Sequence, residues 1–158
     1  MTSLEISHFT EAVGHFATGV VVVTAMGEDG PQGFTCQTFS SLSLEPLLVS
    51  FAARSQSSSW PRIRDIGDLA INILASDQES LARGFATSAS DKFAGISWRN
   101  GSNGAPLLEG TLASIEGTIL DLASYGDHDI AIVAPQKFEV RPGVPLLYFR
   151  GGFGQFVS

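Results

Sequence analysis

The run Gly33-Phe34-Thr35-Cys36-Gln37-Thr38-Phe39-Ser40-Ser41-Leu42-Ser43-Leu44-Glu45-Pro46 restricts the possible folds more than any other stretch. Its Thr, Phe and Leu content suits a strand. Its polar groups are too many and too closely spaced for a plain core strand. The hydroxyls and the Gln37 amide set out donors and acceptors along one extended backbone. A planar ligand with a mixed donor/acceptor edge fits such a ladder, and a flavin ring has that form. The other segments then read as wall, phosphate clamp and lid.

Bulk properties narrow the classes. At 158 residues the chain is expected to be a single domain, 1–158, with room for a core. A net charge of −7 argues against nucleic acid and against an anionic membrane surface as partners. Only 16% of residues are charged against 44% apolar, so part of the surface is expected to be covered by another subunit or a large ligand. One Cys rules out an internal disulfide and a Cys-based metal site. His8 and His15 have no third ligand, so no metal is expected. No apolar run reaches the ~20 residues of a membrane helix. Met1 to Glu5 lacks a basic secretion signal, which makes a reducing cytoplasmic setting the expectation.

Periodicity predicts an amphipathic helix over 7–18, capped by Ser7, with Phe9, Val13 and Phe16 on one face. Strands follow at 20–26 and 32–42, joined by a Gly-rich turn, and at 47–53. Pro61 opens a helix to Ile66. A strand at 68–74 and a helix at 77–85, capped by Ser76 or Asp77, come next. Residues 86–106 read as a long loop. Strands are expected at 107–122, 128–135, 137–141 and 146–150, then a flexible Gly151–Gly154 tail. About seven strands joined by turns, with two or three short helices outside, predict an antiparallel barrel.

Three constellations stand out. Arg54 and the serines of 55–59 precede a helix start, an arrangement suited to a phosphate; a plain serine cap is the alternative. Tyr125-Gly126-Asp127-His128 puts a His at a strand entry, where it either meets a second ligand or is simply solvated. Leu147-Tyr148-Phe149-Arg150-Gly151-Gly152-Phe153 ends an apolar strand in a cation and two glycines that permit close backbone approach. Cys36 has no His or Lys beside it and reads as a packed residue. The Asp127/Asp129 pair reads as solvated. No dinucleotide fingerprint, Walker loop or nucleophile elbow is present.

The chain resembles the short-chain flavin reductases, the reductase components of two-component flavin-dependent monooxygenases. The resemblance rests on Gly33 to Pro46 and on Ala17-Thr18-Gly19-Val20, Ser59-Trp60 and Ala70-Ile71-Asn72-Ile73-Leu74. It continues through Asp91-Lys92-Phe93-Ala94-Gly95 with Trp98, Gly126-Asp127-His128 and Pro145 to Gly151. It spans nearly the whole chain in order, and looks closest to reductases serving aromatic or steroid-ring hydroxylases.

The resemblance implies an FMN-binding split barrel, a homodimer with flavin near the interface, and NADH as hydride donor. It implies reduced FMN or FAD delivered to a partner monooxygenase. By position, Gly33, Phe34, Thr35, Gln37 and Thr38 would line the ring and ribityl chain. Ala52, Ala53 and Arg54 would lead toward the phosphate, Ser58 and Ser59 would bind it, and Phe85 would border the site. His128, Phe149, Arg150, Gly151 and Gly152 would face the nicotinamide. Relatives often carry a basic residue where this chain has Ser57 and Ser58. No catalytic acid or base is expected, because hydride passes directly between the cofactors. The competing readings are a split barrel that holds flavin as a store or electron relay without NADH, and an oxidase of a pyridoxine-type phosphate. The latter's sites are usually more basic than a chain with nine Lys plus Arg.

Overall fold

A computed structural model describes residues 1–158 as a mainly β protein with three short helices. In chain order these are α1 (Ser3–Gly14), β1 (Thr18–Gly19), β2 (Val21–Gly27), β3 (Gly30–Cys36), β4 (Ser40–Leu44) and β5 (Leu47–Arg54). Then come α2 (Trp60–Ile66), β6 (Asp68–Ile73), α3 (Glu79–Phe85), β7 (Trp98–Asn100) and β8 (Pro106–Leu108). The chain closes with β9 (Ala113–Tyr125), β10 (His128–Val140), β11 (Leu146–Phe149) and β12 (Gly152–Gln155). A seven-stranded sheet runs β3-β2-β6-β9-β10-β5-β4 with every neighbour antiparallel. A three-stranded sheet, β1-β11-β12, and a β7-β8 pair accompany it.

Strand β2 organises the core. Val21 to Ala25 are all buried, as a continuous β-branched run requires of a strand covered on both faces. Val21, Val23 and Ala25 pack with Phe51, Val133 and with Trp60 and Ile63 of α2. Val20 and Val22 pack with Leu74, Phe93, Leu146 and with Ala82 and Phe85 of α3. Asn72, fully buried, donates through Nδ2 to the Val22 carbonyl (3.0 Å) and Thr24 Oγ1 (3.1 Å). Its Oδ1 accepts from Leu108 N–H (3.0 Å), which ties β8 across β2 and β6.

The polar run is not one strand. β3 ends at Cys36, residues 37–39 are irregular, and β4 begins at Ser40. β3 and β4 are the two edges of the seven-stranded sheet. Flat, those edges would lie about 29 Å apart. Four residue steps span at most about 14 Å. The sheet therefore curls until its edges approach. Thr38 fastens the crossing: its Oγ1 accepts from Ala52 N–H (2.8 Å) and donates to the Ala52 carbonyl (2.7 Å).

Other boundaries move for identifiable reasons. α1 starts at Ser3, with Thr2 and Glu5 forming a reciprocal capping box, so Ser7 is not the cap. Its apolar residues, Phe9 and Val13 among them, are exposed in the single chain. α3 begins at Glu79 behind Gln78, whose Oε1 accepts from Ala75 N–H (2.9 Å). The 86–106 loop contains β7 and the first residue of β8. The expected strands at 128–135 and 137–141 are one strand, β10, because a register shift between Pro135 and Lys137 lets it carry a proline. The C-terminal glycines are not a free tail: β12 pairs with β11, and the Phe153 ring lies 5.1 Å from Tyr148.

A Cβ on Gly33 would stand 2.8 Å from Cε1 of the buried Phe85 ring and 3.3 Å from Phe93 Cζ. Gly33→Ala is expected to cost about 1–3 kcal/mol through overpacking. Urea unfolding checks this; wild-type stability would mean that Phe85 shifts aside freely.

Candidate functional site

Strands β5 and β10 pair with His128 opposite Arg54 and Asp129 opposite Ala53. Side chains alternate along a strand, so His128 and Asp129 serve different faces. Asp129 is buried and is the hub of the turn that follows β5. Its carboxylate accepts from Trp60 Nε1 (2.8 Å), Ser124 Oγ (2.8 Å), Ser55 Oγ (3.0 Å) and Arg64 Nη1 (3.4 Å). These bonds, the Trp60 indole first, hold its pKa down at about 2. The expectation of a solvated Asp127/Asp129 pair therefore fails for Asp129. Asp127 is exposed, bonded to His128 Nδ1 (2.8 Å), and that contact lowers its pKa.

The serines before α2 divide their tasks. Ser57 Oγ accepts from Trp60 N–H (3.4 Å). Ser59 makes no cap bond; its hydroxyl instead accepts from Lys92 Nζ (3.1 Å). Lys92 also donates to the carbonyls of Gly33 (3.1 Å) and Phe85 (3.2 Å). It has no carboxylate partner, and burial lowers its pKa. A half-buried ammonium held only by neutral acceptors invites an anion.

These elements enclose a cavity of about 860 Å³, within the range of cofactor sites. It brings together Phe34, Thr35, Gln37, Thr38, Ala52, Ala53, Arg54, Ser58, Ser59, Phe85 and His128. Lys92 and Ser57 also line it. No Asp or Glu does, although the chain holds sixteen. Gly33 stands behind this wall and borders a smaller cavity.

The uninterrupted ladder of free hydroxyls expected from the polar run is absent. Thr35 Oγ1 donates to the Ala82 carbonyl (2.6 Å), and Thr38 is tied to Ala52, so both hydroxyls serve the fold. Cys36 is buried, and burial raises its pKa. Phe149, Arg150, Gly151 and Gly152 do not line this cavity. Phe149 and Gly152 border a hollow with Ala17 and Phe153, while Arg150 and Gly151 border another with Ser7 and Glu11. Arg150 is the one non-glycine residue at positive φ (50°), and its N–H donates to the Gly14 carbonyl (3.1 Å).

Lys92 is the residue that site reasoning passed over. It lies in Asp91-Lys92-Phe93, inside a stretch read as loop. The available signal was local: Asp91 Oδ1 accepts from Phe93 N–H (3.2 Å), a turn that Asp commonly makes.

The fold and this cavity define a mainly β protein with one large cavity lined by cations and no carboxylate. Residues 13–156 match the family model described as "Flavin reductase like domain", and the chain belongs to that family. It is 39% identical over 148 residues to "Flavin-dependent monooxygenase, reductase subunit HsaB" of Mycobacterium tuberculosis, covering 92% of this chain and 79% of that one. The crystal structure of a nitrilotriacetate monooxygenase component B homologue from Mycobacterium thermoresistibile superposes with TM-score 0.95 at 35% identity, covering 98% of this chain and 88% of that chain. The Streptomyces globisporus NADH:FAD oxidoreductase SgcE6, solved in complex with NAD and FAD fragments, superposes with TM-score 0.92 at 31% identity over 99% of this chain and 96% of that chain.

The low pKa of Asp129 carries a stability consequence. Its folded value, about 2, lies below the ordinary 3.8, so its contribution is complete above about pH 4 and is lost as pH falls toward 2. Asp129→Asn is expected to lower stability at pH 7 by about 1–3 kcal/mol. It should also flatten the stability profile between pH 4 and pH 2. Chemical denaturation across that range is the measurement; an unchanged slope would remove Asp129 as the acid-sensitive group.

Proposed function

We propose that this chain is an NADH-dependent flavin reductase. It holds FMN or FAD in the large cavity and supplies reduced flavin to a flavin-dependent monooxygenase acting on an aromatic or steroid ring. The supporting observation is the cavity's charge. In a protein of net charge −7, its lining includes Arg54 and Lys92 and not one carboxylate.

The residues fit the group. Phe34 and the backbone of Gln37 and Thr38 offer a flat, partly polar wall for the ring. Ala52 and Ala53 leave room for the ribityl chain, and Ser58, Ser59, Arg54 and Lys92 suit its phosphate. α2 has only seven residues, so the attraction is assigned to the two cations rather than to the helix. Lys92 supplies the charge that relatives often place where Ser57 and Ser58 stand. When bound, the two cofactors themselves supply hydride transfer. The chain's part is to bind and orient them. His128, held through Nδ1 by Asp127, would position the nicotinamide at the cavity mouth.

The short link between the sheet edges supports a split barrel, with residues 1–158 as one flavin reductase-like domain. A homodimer fits α1. That helix has twelve residues, none buried, and exposes Leu4, Ile6, Phe9 and Val13. An isolated helix of that length is marginal in water. A second copy covering it would place the Phe149–Gly152 segment at an interface, where the strained Arg150 would face dinucleotide. No helix is long and apolar enough to cross a membrane. A cytoplasmic setting is part of the proposal, as the place where NADH and a partner monooxygenase would be met.

Two measurements test this reading. The purified protein should oxidise NADH steadily when FMN or FAD is added, and His128→Ala should raise KM for NADH more than KM for flavin. Flavin binding without NADH oxidation would point to a flavin store or relay instead. Second, Lys92→Met should weaken FMN binding by roughly tenfold while leaving riboflavin, which has no phosphate, nearly unchanged. Equal losses for both, read by fluorescence titration, would make Lys92 a support for the fold alone.

A further inference from the structure

The large cavity does not end at Ser59. A second cavity of about 210 Å³ adjoins it and shares Ser58, Ser59, Ser88 and Lys92 as a common wall. Beyond that wall lie Gln32, Ser90 and Arg62, and again no carboxylate. The nine Lys and Arg side chains divide in an informative way. Arg64, Arg83, Arg99 and Arg141 are in ion pairs. Arg54, Arg62, Lys92, Lys137 and Arg150 are not. Three of these five, Arg54, Arg62 and Lys92, line the two adjoining cavities. A ligand with one phosphate needs Lys92 and Arg54; it leaves Arg62 and the serine-lined annex without a task. A ligand with two phosphates in series would use both sides of the Lys92 wall.

We infer that the smaller cavity receives the second phosphate of FAD and the start of its adenosine half, with Arg62 as the residue that makes this chain prefer FAD to FMN. The inference rests on the reading of the large cavity as the flavin ring's site. Arg62 is exposed and makes no hydrogen bond or ion pair to the protein, so its removal leaves the fold intact. Its guanidinium can present two N–H groups to one phosphate, a geometry a lysine cannot copy. Lys92, by contrast, serves the phosphate that FMN and FAD have in common. The two cations therefore predict different patterns across the same ligands.

Equilibrium binding of riboflavin, FMN and FAD to the full chain, followed by flavin fluorescence or calorimetry, separates the possibilities. The wild-type protein should bind FAD at least tenfold more tightly than FMN. Arg62→Ala should bring FAD to within about twofold of FMN and leave FMN and riboflavin unchanged. Arg62→Glu should push FAD below FMN, since it sets a carboxylate against the second phosphate. Equal wild-type affinity for FMN and FAD would overturn the inference while leaving the flavin site standing. So would an FAD preference untouched by either Arg62 variant, or equal losses of FMN and FAD. Failure of all three flavins to bind would overturn the reading of the large cavity, and this inference with it.

Discussion

Three residues, Gln37 to Phe39, join the opposite edges of a seven-stranded sheet, and most of the architecture follows from their shortness. A link that short cannot cross a flat sheet of this width, so the sheet must roll. Rolling brings the end of β3 beside the end of β5 and leaves a space between them. Thr38 holds that approach through a two-way hydrogen bond with Ala52, on the part of β5 that extends past its pairing with β4. The cavity is thus a product of topology. Its walls come from strands far apart in hydrogen-bonding order and adjacent only because the chain steps directly from one edge to the other.

Charge is then sorted onto this frame. His128 and Asp129 are neighbours on β10, yet the pleat sends them to different faces. Asp129 faces Trp60, Ser55 and Ser124 and organises the turn after β5 from behind, where its negative charge is absorbed by donors. His128 is left at the mouth of the cavity. Glu79 and Glu139 are likewise paired with arginines elsewhere on the surface. An acidic protein can in this way present a locally cationic groove without any excess of lysine or arginine. Few cations are needed, provided that those lining the groove are not neutralised.

Legibility in the sequence followed the range of the interactions. The buried run Val21–Ala25 and the turn at Gly30 are local patterns, and they were readable. So were the Pro61 helix start and the serine cluster before it, whereas Phe34 and Ala52 were placed at the site only by the resemblance to the flavin reductases. The break at residues 37–39 was hidden because its cause is a distant partner, Ala52, and not the composition of the run itself. Pro135 read as a strand end because a register shift that accommodates it belongs to the pairing with β9 and has no local mark. Asp129 looked solvated because its four donors come from positions 55, 60, 64 and 124. Lys92 looked like a loop residue because its partners lie on β3, on α3 and at Ser59. Most of these misses turn on contacts between separate elements, which neither period nor propensity encodes; the Thr2/Glu5 capping box of α1 is the exception, a local pattern.

The same reasoning explains why chemistry left so faint a motif. A hydrolase needs an acid, a base and a nucleophile in fixed relation, and such sets concentrate conspicuous residue types. A protein whose two cofactors exchange hydride between themselves needs only to exclude misplacement and to favour an anion. Backbone, alanines and a few unneutralised cations suffice for that. The informative signal is therefore negative: sixteen carboxylates in the chain, and none on the wall of either adjoining cavity. The continuation of that carboxylate-free wall past Ser59 ties the groove to a ligand longer than a single phosphate ester.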